Sequence, residues 1–465
     1  MLLKNLYGSI WAPKLFSNLL YNWFEINGFQ SNPQDPCVWT RFDKEGPLHI
    51  IAHVDDLGAV GTRAQVDRFY EAISNKKTGF SITRHGRLGI EAERYLGIEV
   101  KRVKEPRDEF HLRNTTLINN LLERVAPFMS KRAKEDVPMR DVRLSKKDAV
   151  PPTDEDECKR ARPPHGPLDE RPYRSFVGGI GYIMLSTRPD LAFAYKELSS
   201  FNSNYGEAHW DALLRCLSYL DKTRDMPLVL TKSGSTRLEA YVDSDWNGNV
   251  DEHKSTTGYI IFLGDAPISW CSQMQGASAR SVCESEYIAL SHCAQELVYL
   301  QMFAKSLRLP DNERVDVRVN QGTNDTSAAP DGHGSALRVW EEFKQVHGIP
   351  ADETAMCWSD SQNAIANAKT PFGWLSGKLR HLHTAFHFVK QYVLKNESSA
   401  WLRLRACDTY GTSAHAFKLD HVRGDDNPAD IFTKGFGDAT AKATNNQRAA
   451  TFQRHMKFCL GLRAV

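Results

Sequence analysis

Four carboxylates in the second half of the chain have the spacing of a divalent-metal centre. Asp243 follows the apolar run 238–242 (LEAYV), and Asp360 follows 354–359 (TAMCWS). Glu286 lies in a long helical stretch at 281–307, and Asp430 stands just after Asn427 and Pro428. Acids at strand ends of one sheet converge on one edge, and adjacent helices can bring two more over it. Four hard oxygen ligands suit two Mg²⁺ ions. A metal pair about 3.5–4 Å apart activates water and stabilises the leaving oxygen in phosphodiester cleavage. Taken singly, each acid has a plainer reading. Asp360 before Ser361 suits a helix cap, Glu286 a solvated helix position, and Asp430 a first-turn acid facing the helix dipole. Taken jointly, on these elements in this order, metal chemistry is the better reading. A second acidic feature is the pair Asp55–Asp56 in HIIAHVDDLGAVG. Adjacent carboxylates in a tight turn between apolar strands fit the metal-binding tip of a polymerase palm. On the pair alone, a hairpin turn held by local hydrogen bonds is the better reading.

The elements that must position the four acids are readable from periodicity. Residues 238–242, 258–263 and 268–272 are short apolar runs that predict an antiparallel meander. A helix over 281–307 follows, carrying Glu286, Leu290, Leu297 and Leu300. Further strands are expected at 354–359 and 419–422, and helices at 362–369, 380–394 and from Asn427. The result is a mixed five-stranded sheet with flanking helices. Upstream, the pattern predicts a helix over 12–29 with Leu15, Leu19, Leu20, Trp23 and Phe24 on one apolar face. It also predicts strands at 37–42, 48–54, 57–60 and 95–100, and a helix over 64–74. Residues 173–230 return to helical periodicity. The fold class is α/β and α+β.

The chain has 465 residues, 41% hydrophobic and 25% charged, enough for two to four domains with sizeable cores. Its 59 Lys and Arg against 57 Asp and Glu leave +2, which excludes a binder held by bulk charge alone. No apolar run reaches the 18 or so residues that span a bilayer, and the start lacks a signal-peptide core, so no membrane partner is expected and the location is expected to be intracellular, cytoplasmic or nuclear. The 9 Cys are scattered without a C-x-x-C pair, against a disulfide framework or a zinc knuckle. Residues 125–172 are rich in charge and Pro and read as a linker rather than a core element. Residues 311–345 read as an inserted loop. The tail 437–465 reads as polar and loosely attached.

Long strings narrow the reading further. YVDSDWNGNVDEHKSTTGYIIFLGDAPISWCSQMQ and ESEYIALSHCAQELVYL closely resemble the RNase H domain of copia-type retrotransposon Pol polyproteins. WSDSQNAIANAK, HLHTAFHFVK and DHVRGDDNPADIFTKGF resemble its later blocks in the right order. LYGSIWAPKLF, NGFQSNPQDPCVW, HVDDLGAVG and RYLGIEV resemble reverse-transcriptase blocks of the same polyproteins. The run from PYRSFVGGIGYIML to RDMPLVL resembles their connection region.

The resemblance implies a reverse-transcriptase palm at 1–124, a linker or thumb part at 125–172, a connection region at 173–232 and an RNase H domain at 233–436. It implies Asp243, Glu286, Asp360 and Asp430 as catalytic metal ligands for two Mg²⁺ ions, with Mn²⁺ able to substitute. Glu284 and Asp245 are weaker candidates, and His421 is a possible accessory group in product release. The implied substrate is an RNA–DNA hybrid, and other Pol or Gag products are implied partners. An acid in the helix after the meander separates this pattern from integrases and transposases, whose Glu lies on a late helix. Departures occur: His383 stands where the family commonly has Asp, His53 where it has Tyr, and Trp11 where it usually has Gln. The family carries a further palm Asp upstream of the LYG block, and here Met1 lies only five residues before Leu6, so polymerase activity is expected to be lost. The rival expectation is a non-catalytic nucleic-acid binder, using clusters such as Lys101–Arg102–Val103–Lys104 and Lys131–Arg132 on phosphates.

Overall fold

A computed structural model describes residues 12–75, 77, 79–105, 107–129, 134–141, 143–149, 171–231, 236–307, 355–369, 389, 393, 417–436 and 446–462. Residues 12–87 with 299–307 form one compact unit. Residues 88–298 and the described residues from 355 onward form another.

In the first unit, helix α1 (Ala12–Ile26) buries Leu20, Trp23 and Phe24. Phe16, Leu20, Trp23 and Phe24 follow the i, i+4, i+7, i+8 spacing of one helical face. Leu15 and Leu19 sit one position earlier, about 100° around the helix, and are 41% and 64% exposed rather than on that face. Strands β1 (Val38–Asp43), β2 (Gly46–His53) and β3 (Asp56–Val60) pair antiparallel. Their inner face, Trp39, Leu48 and Ile50, packs with Phe24 and with Phe69 and Ile73 of α2 (Arg63–Ile73). Thr62 and Gln65 form a reciprocal capping box that starts α2.

The second unit opens with a hairpin of β4 (Ile98–Val103) and β5 (Glu109–Arg113). The expected strand at 95–100 is broken, because Leu96 and Gly97 both take positive φ, 48° and 78°, and make a turn there. Helices α3 (Thr115–Val125), α4 (Tyr173–Ser186), α5 (Ala192–Ser199) and α6 (Glu207–Lys222) follow. Strand β6 (Leu228–Thr231) then pairs with β5. Residues 88–124 thus belong with the second unit, and the expected boundary at 124 falls inside it.

The main sheet comprises β7 (Leu238–Asp245), β8 (Thr256–Leu263) and β9 (Ala266–Met274) as an antiparallel meander. After α7 (Val282–Ser306), strand β10 (Ala355–Ser359) joins β7 in parallel. Helix α8 (Gln362–Lys369) leads on, and β11 (Phe417–His421) completes the order β9-β8-β7-β10-β11. The mixed five-stranded sheet matches the expectation. The insert at 311–345 and nearly all of the expected helix at 380–394 lie outside the described residues, as does His383.

Two segments differ from their sequence reading. In the expected linker, Val137, Met139 and Leu144 are buried in the core, and the Phe436 amide donates to the Met139 carbonyl. Alternate apolar residues among charges gave that short segment a buried side. In the expected loose tail, α9 (Asn446–Cys459) puts Phe452, Met456 and Cys459 into the same core, and Leu460 just after it joins them. Phe458 meets Tyr241 and Phe262 edge-on, at 5.6 and 5.1 Å between ring centroids. Low mean hydropathy hid a stripe at i, i+4, i+7 and i+8. No described helix is long and apolar enough to cross a membrane.

One buried imidazole sets a pH dependence. The His209 Nδ1 accepts from the Gly206 amide at 2.8 Å at the start of α6. Burial lowers its pKa, although Asp148, the Ser145 backbone and Asp251 pull the other way. Below the unfolded value of about 6.5 the unfolded chain binds the proton more readily. This contribution is therefore fully present above pH 6.5 and lost as pH falls toward the folded value. Urea midpoints should drop between pH 7.5 and 5.5, and drop less in His209→Gln. An equal drop in both proteins contradicts the assignment.

Candidate metal centre

Parallel pairing of β7 with β10 brings two chain ends to one edge. Ser359 lies in register with Val242, so Asp360 emerges beside Asp243. Asp243 lies inside β7 rather than just beyond it, and is almost fully buried. Glu286 comes from the first turns of α7, where Ser285 Oγ donates to Ser244 Oγ at 2.8 Å and ties helix to strand. Gln275 Nε2 reaches the Ser285 carbonyl at 2.9 Å and Thr257 Oγ1 at 3.1 Å, fixing the same turn.

Asp243, Glu286 and Asp360 each offer one carboxylate oxygen, and the three oxygens lie within 4.8 Å of one another. Glu286 Oε2 and Asp360 Oδ1 are buried with no hydrogen-bond partner. Buried unpaired carboxylates are costly, so this edge is poised for a cation. The donor set is all carboxylate oxygen, which fits Mg²⁺ or Mn²⁺ rather than a softer metal.

The electrostatics agree with crowding. Burial raises the Asp243 pKa to about 6, with Asp430 adding and Lys434 opposing. Burial, then Asp243 and Asp360, hold Glu286 well above the carboxylate range. Burial and Asp243 raise Asp360. Burial also raises Asp430, with Lys434 opposing.

Asp430 reaches the edge differently. It lies on a short 3₁₀ turn, Pro428–Phe432, where a longer helix was expected. Asn427 Nδ2 pins this turn to the Val242 carbonyl at 2.9 Å, and its Oδ1 accepts from the Ala429 amide at 3.1 Å. The Thr433 hydroxyl donates to Asp243 Oδ2. The turn lies flat on the sheet because Gly258, paired with Asp243, has no side chain. A Cβ there would meet Thr433 Cγ2 at 2.6 Å and Phe432 Cβ at 2.7 Å. Gly258→Val is therefore expected to cost about 1–3 kcal/mol through overpacking and to displace Thr433 from Asp243. A urea midpoint and a Mn²⁺-induced melting shift both equal to wild type would contradict this.

Thr433 and Lys434 were not singled out from sequence. Lys434 Nζ lies 3.0 Å from Asp430 Oδ1 and 3.5 Å from Asp243 Oδ2. The signal for Lys434 is its i,i+4 spacing from Asp430.

The other candidates are placed elsewhere. Glu284 Oε2 accepts from the Arg280 amide at 3.0 Å, a role at the start of α7. Asp245 pairs with Arg143 at 2.8 Å. The cap of α8 is Ser361, whose Oγ accepts from the Ala364 amide at 3.3 Å, so capping does not account for Asp360. His421 is exposed at the end of β11 and exerts a weak downward pull on the Asp360 pKa. Asp55 and Asp56 are exposed at the β2–β3 hairpin, where Val54 takes φ 54°. Neither belongs to the converging acid group found among the described residues.

Fold and site together define an α+β protein with a buried carboxylate centre on a mixed sheet. No family model matches the chain. It is 30% identical over 363 residues to the retrovirus-related Pol polyprotein from transposon TNT 1-94 of Nicotiana tabacum, covering 77% of this chain and 26% of that protein. It is 31% identical over 298 residues to the corresponding polyprotein from transposon RE1 of Arabidopsis thaliana, covering 64% of this chain and 18% of that protein. A 129-residue stretch is 46% identical to secreted RxLR effector protein 161 of Plasmopara viticola, covering 28% of this chain and 91% of that protein. The chain belongs to the copia-type retrotransposon Pol polyproteins. It spans between 18% and 26% of the length of the Pol polyproteins it matches.

Proposed function

We propose that the second unit carries a ribonuclease H activity, the metal-dependent endonucleolytic hydrolysis of the RNA strand in an RNA–DNA hybrid. The observation that carries this reading is the convergence of Asp243, Glu286 and Asp360 on one sheet edge, with oxygens of Glu286 and Asp360 left unpaired. Asp243, Glu286, Asp360 and Asp430 are the residues that would hold Mg²⁺, with Mn²⁺ as a substitute. When bound, such ions supply Lewis-acid stabilisation of phosphate charge and an activated water. The chain's own part is orientation. Thr433 fixes one oxygen of Asp243, Asn427 holds the turn that presents Asp430, and the Ser244–Ser285 bond holds the helix turn that carries Glu286. His421, exposed at the end of β11, would be an accessory group in release of the cut strand.

Polymerase chemistry finds less support. Asp55 and Asp56 stand exposed on their hairpin, and among the described residues no third acid converges with them. Hybrid cleavage and DNA synthesis should therefore separate in the purified chain, with cleavage present and primer extension absent. The test is a hybrid labelled on its RNA strand, incubated with Mg²⁺ beside duplex DNA and duplex RNA. Internal cuts confined to the hybrid's RNA strand support the reading. An uncut hybrid overturns it and favours a non-catalytic nucleic-acid binder.

A further inference from the structure

Among the described residues, Lys434 is the one ammonium or guanidinium within 4.0 Å of the four acids. It donates to Asp430 Oδ1 at 3.0 Å and stands 3.5 Å from Asp243 Oδ2. It makes no hydrogen bond to the Glu286 and Asp360 oxygens that remain unpaired, although its charge still pulls both of those carboxyls down. The centre is thus two-sided. One side gathers Asp243, Glu286 and Asp360 around a position open to a cation. The other, between Asp243 and Asp430, already holds a positive charge.

The way Lys434 is held adds a second point. Its backbone is fixed, since its amide donates to the Asp430 carbonyl at 3.1 Å and Thr433 before it is buried and bonded to Asp243. Its side chain is 41% exposed and ends a flexible four-carbon stem. The ammonium can swing to solvent without moving the turn. An ammonium and a divalent ion cannot share the same pair of carboxylates at contact distance without strong repulsion.

We propose that Lys434 is a built-in counter-ion that occupies the Asp243–Asp430 side of the centre and must leave before an ion binds there. It would make loading sequential, with the Asp243–Glu286–Asp360 side filled first. This inference rests on the metal-centre reading above. Lys434 is here a positioning residue, acting through Asp243 and Asp430.

The test is calorimetric titration of the full chain with Mn²⁺, for wild type, Lys434→Met, Lys434→Gln and Lys434→Arg, each checked for fold by circular dichroism. Wild type is expected to bind one ion well and a second weakly. Loss of the ammonium in Met and Gln should tighten the second event by about 10- to 100-fold, on the scale of changes to groups that orient metal ligands, while Arg stays near wild type. Without metal, Lys434→Met should melt below wild type, and saturating Mn²⁺ should close the gap. Wild-type binding with no tightening in either Met or Gln overturns the Lys434 inference and leaves the centre standing. Absence of Mn²⁺ binding in all four proteins overturns both.

Discussion

Asp243→Asn is expected to lower the rate of hybrid cleavage by at least about 100-fold, since even groups that only orient metal ligands cost 10–100-fold when changed. Asp243 is the acid shared by both sides of the centre, converging with Glu286 and Asp360 and lying 3.5 Å from the Lys434 ammonium that bridges to Asp430. Asn keeps the volume and an oxygen for the Thr433 hydroxyl but removes the charge. Glu284→Gln and Asp245→Asn serve as controls, because those acids are committed to the Arg280 amide and to Arg143. Their cleavage rates should stay near wild type. Stability should move the other way. Burial lifts the folded pKa of Asp243 to about 6, above its unfolded value. Between those values the folded state binds more protons, so the stability this group allows is present at low pH and lost as pH rises through 6. Metal-free Asp243→Asn at pH 7.5 should therefore melt no lower than wild type. Loss of activity with a collapsed melting temperature would mean that the substitution damages the fold and says nothing of metal.

Arg188→Ala carries the largest expected cost to folding, about 3–5 kcal/mol, the usual range for removing one partner of a buried ion pair. Arg188 is 1% exposed and makes a two-pronged pair with Asp190 at 2.9 and 2.7 Å. Its remaining donors reach the Thr223 carbonyl at 2.9 Å and Thr223 Oγ1 at 2.7 Å, at the end of α6. Tyr219 donates to Asp190 Oδ2 at 2.6 Å. Removing the guanidinium leaves the buried Asp190 carboxylate without its countercharge and takes a donor from Thr223 Oγ1, while the Thr223 carbonyl keeps the Met226 amide at 3.1 Å. Against total stabilities of about 5–15 kcal/mol, that is a large share. Urea unfolding of wild type, Arg188→Ala and the double change Arg188→Met with Asp190→Leu would separate the terms. The double variant should recover much of the loss, since it removes both charges. A single-variant loss below about 1 kcal/mol, the scale of an exposed pair, would contradict this account of the core.

The sheet and its acids were legible because their signals are local. Residues 238–242, 258–263 and 354–359 each carry a short apolar run with a turn or an acid after it, and β7, β8 and β10 form there. Glu286 was legible through its place in a long apolar helix. Ser361, two residues from the end of β10, supplies the cap that Asp360 alone would have been assigned. The rest depends on contacts far apart in sequence. Thr433 meets Asp243 across 190 positions. Gly258 matters because a turn more than 170 residues later lies on it, which no local pattern reveals. The core positions of α9 did carry helical spacing, but the surrounding Gln, Arg, Lys and His masked it. The burial of Val137, Met139 and Leu144 is a tertiary override of a charged, Pro-rich segment.

The most direct test of the metal centre is a crystal of the chain soaked in Mn²⁺ and measured at the manganese absorption edge. The account predicts an anomalous peak bounded by carboxylate oxygens of Asp243, Glu286 and Asp360, lost in Asp360→Asn. A crystal in which Mn²⁺ binds elsewhere, with these three carboxylates as close together as before and no peak between them, would contradict it.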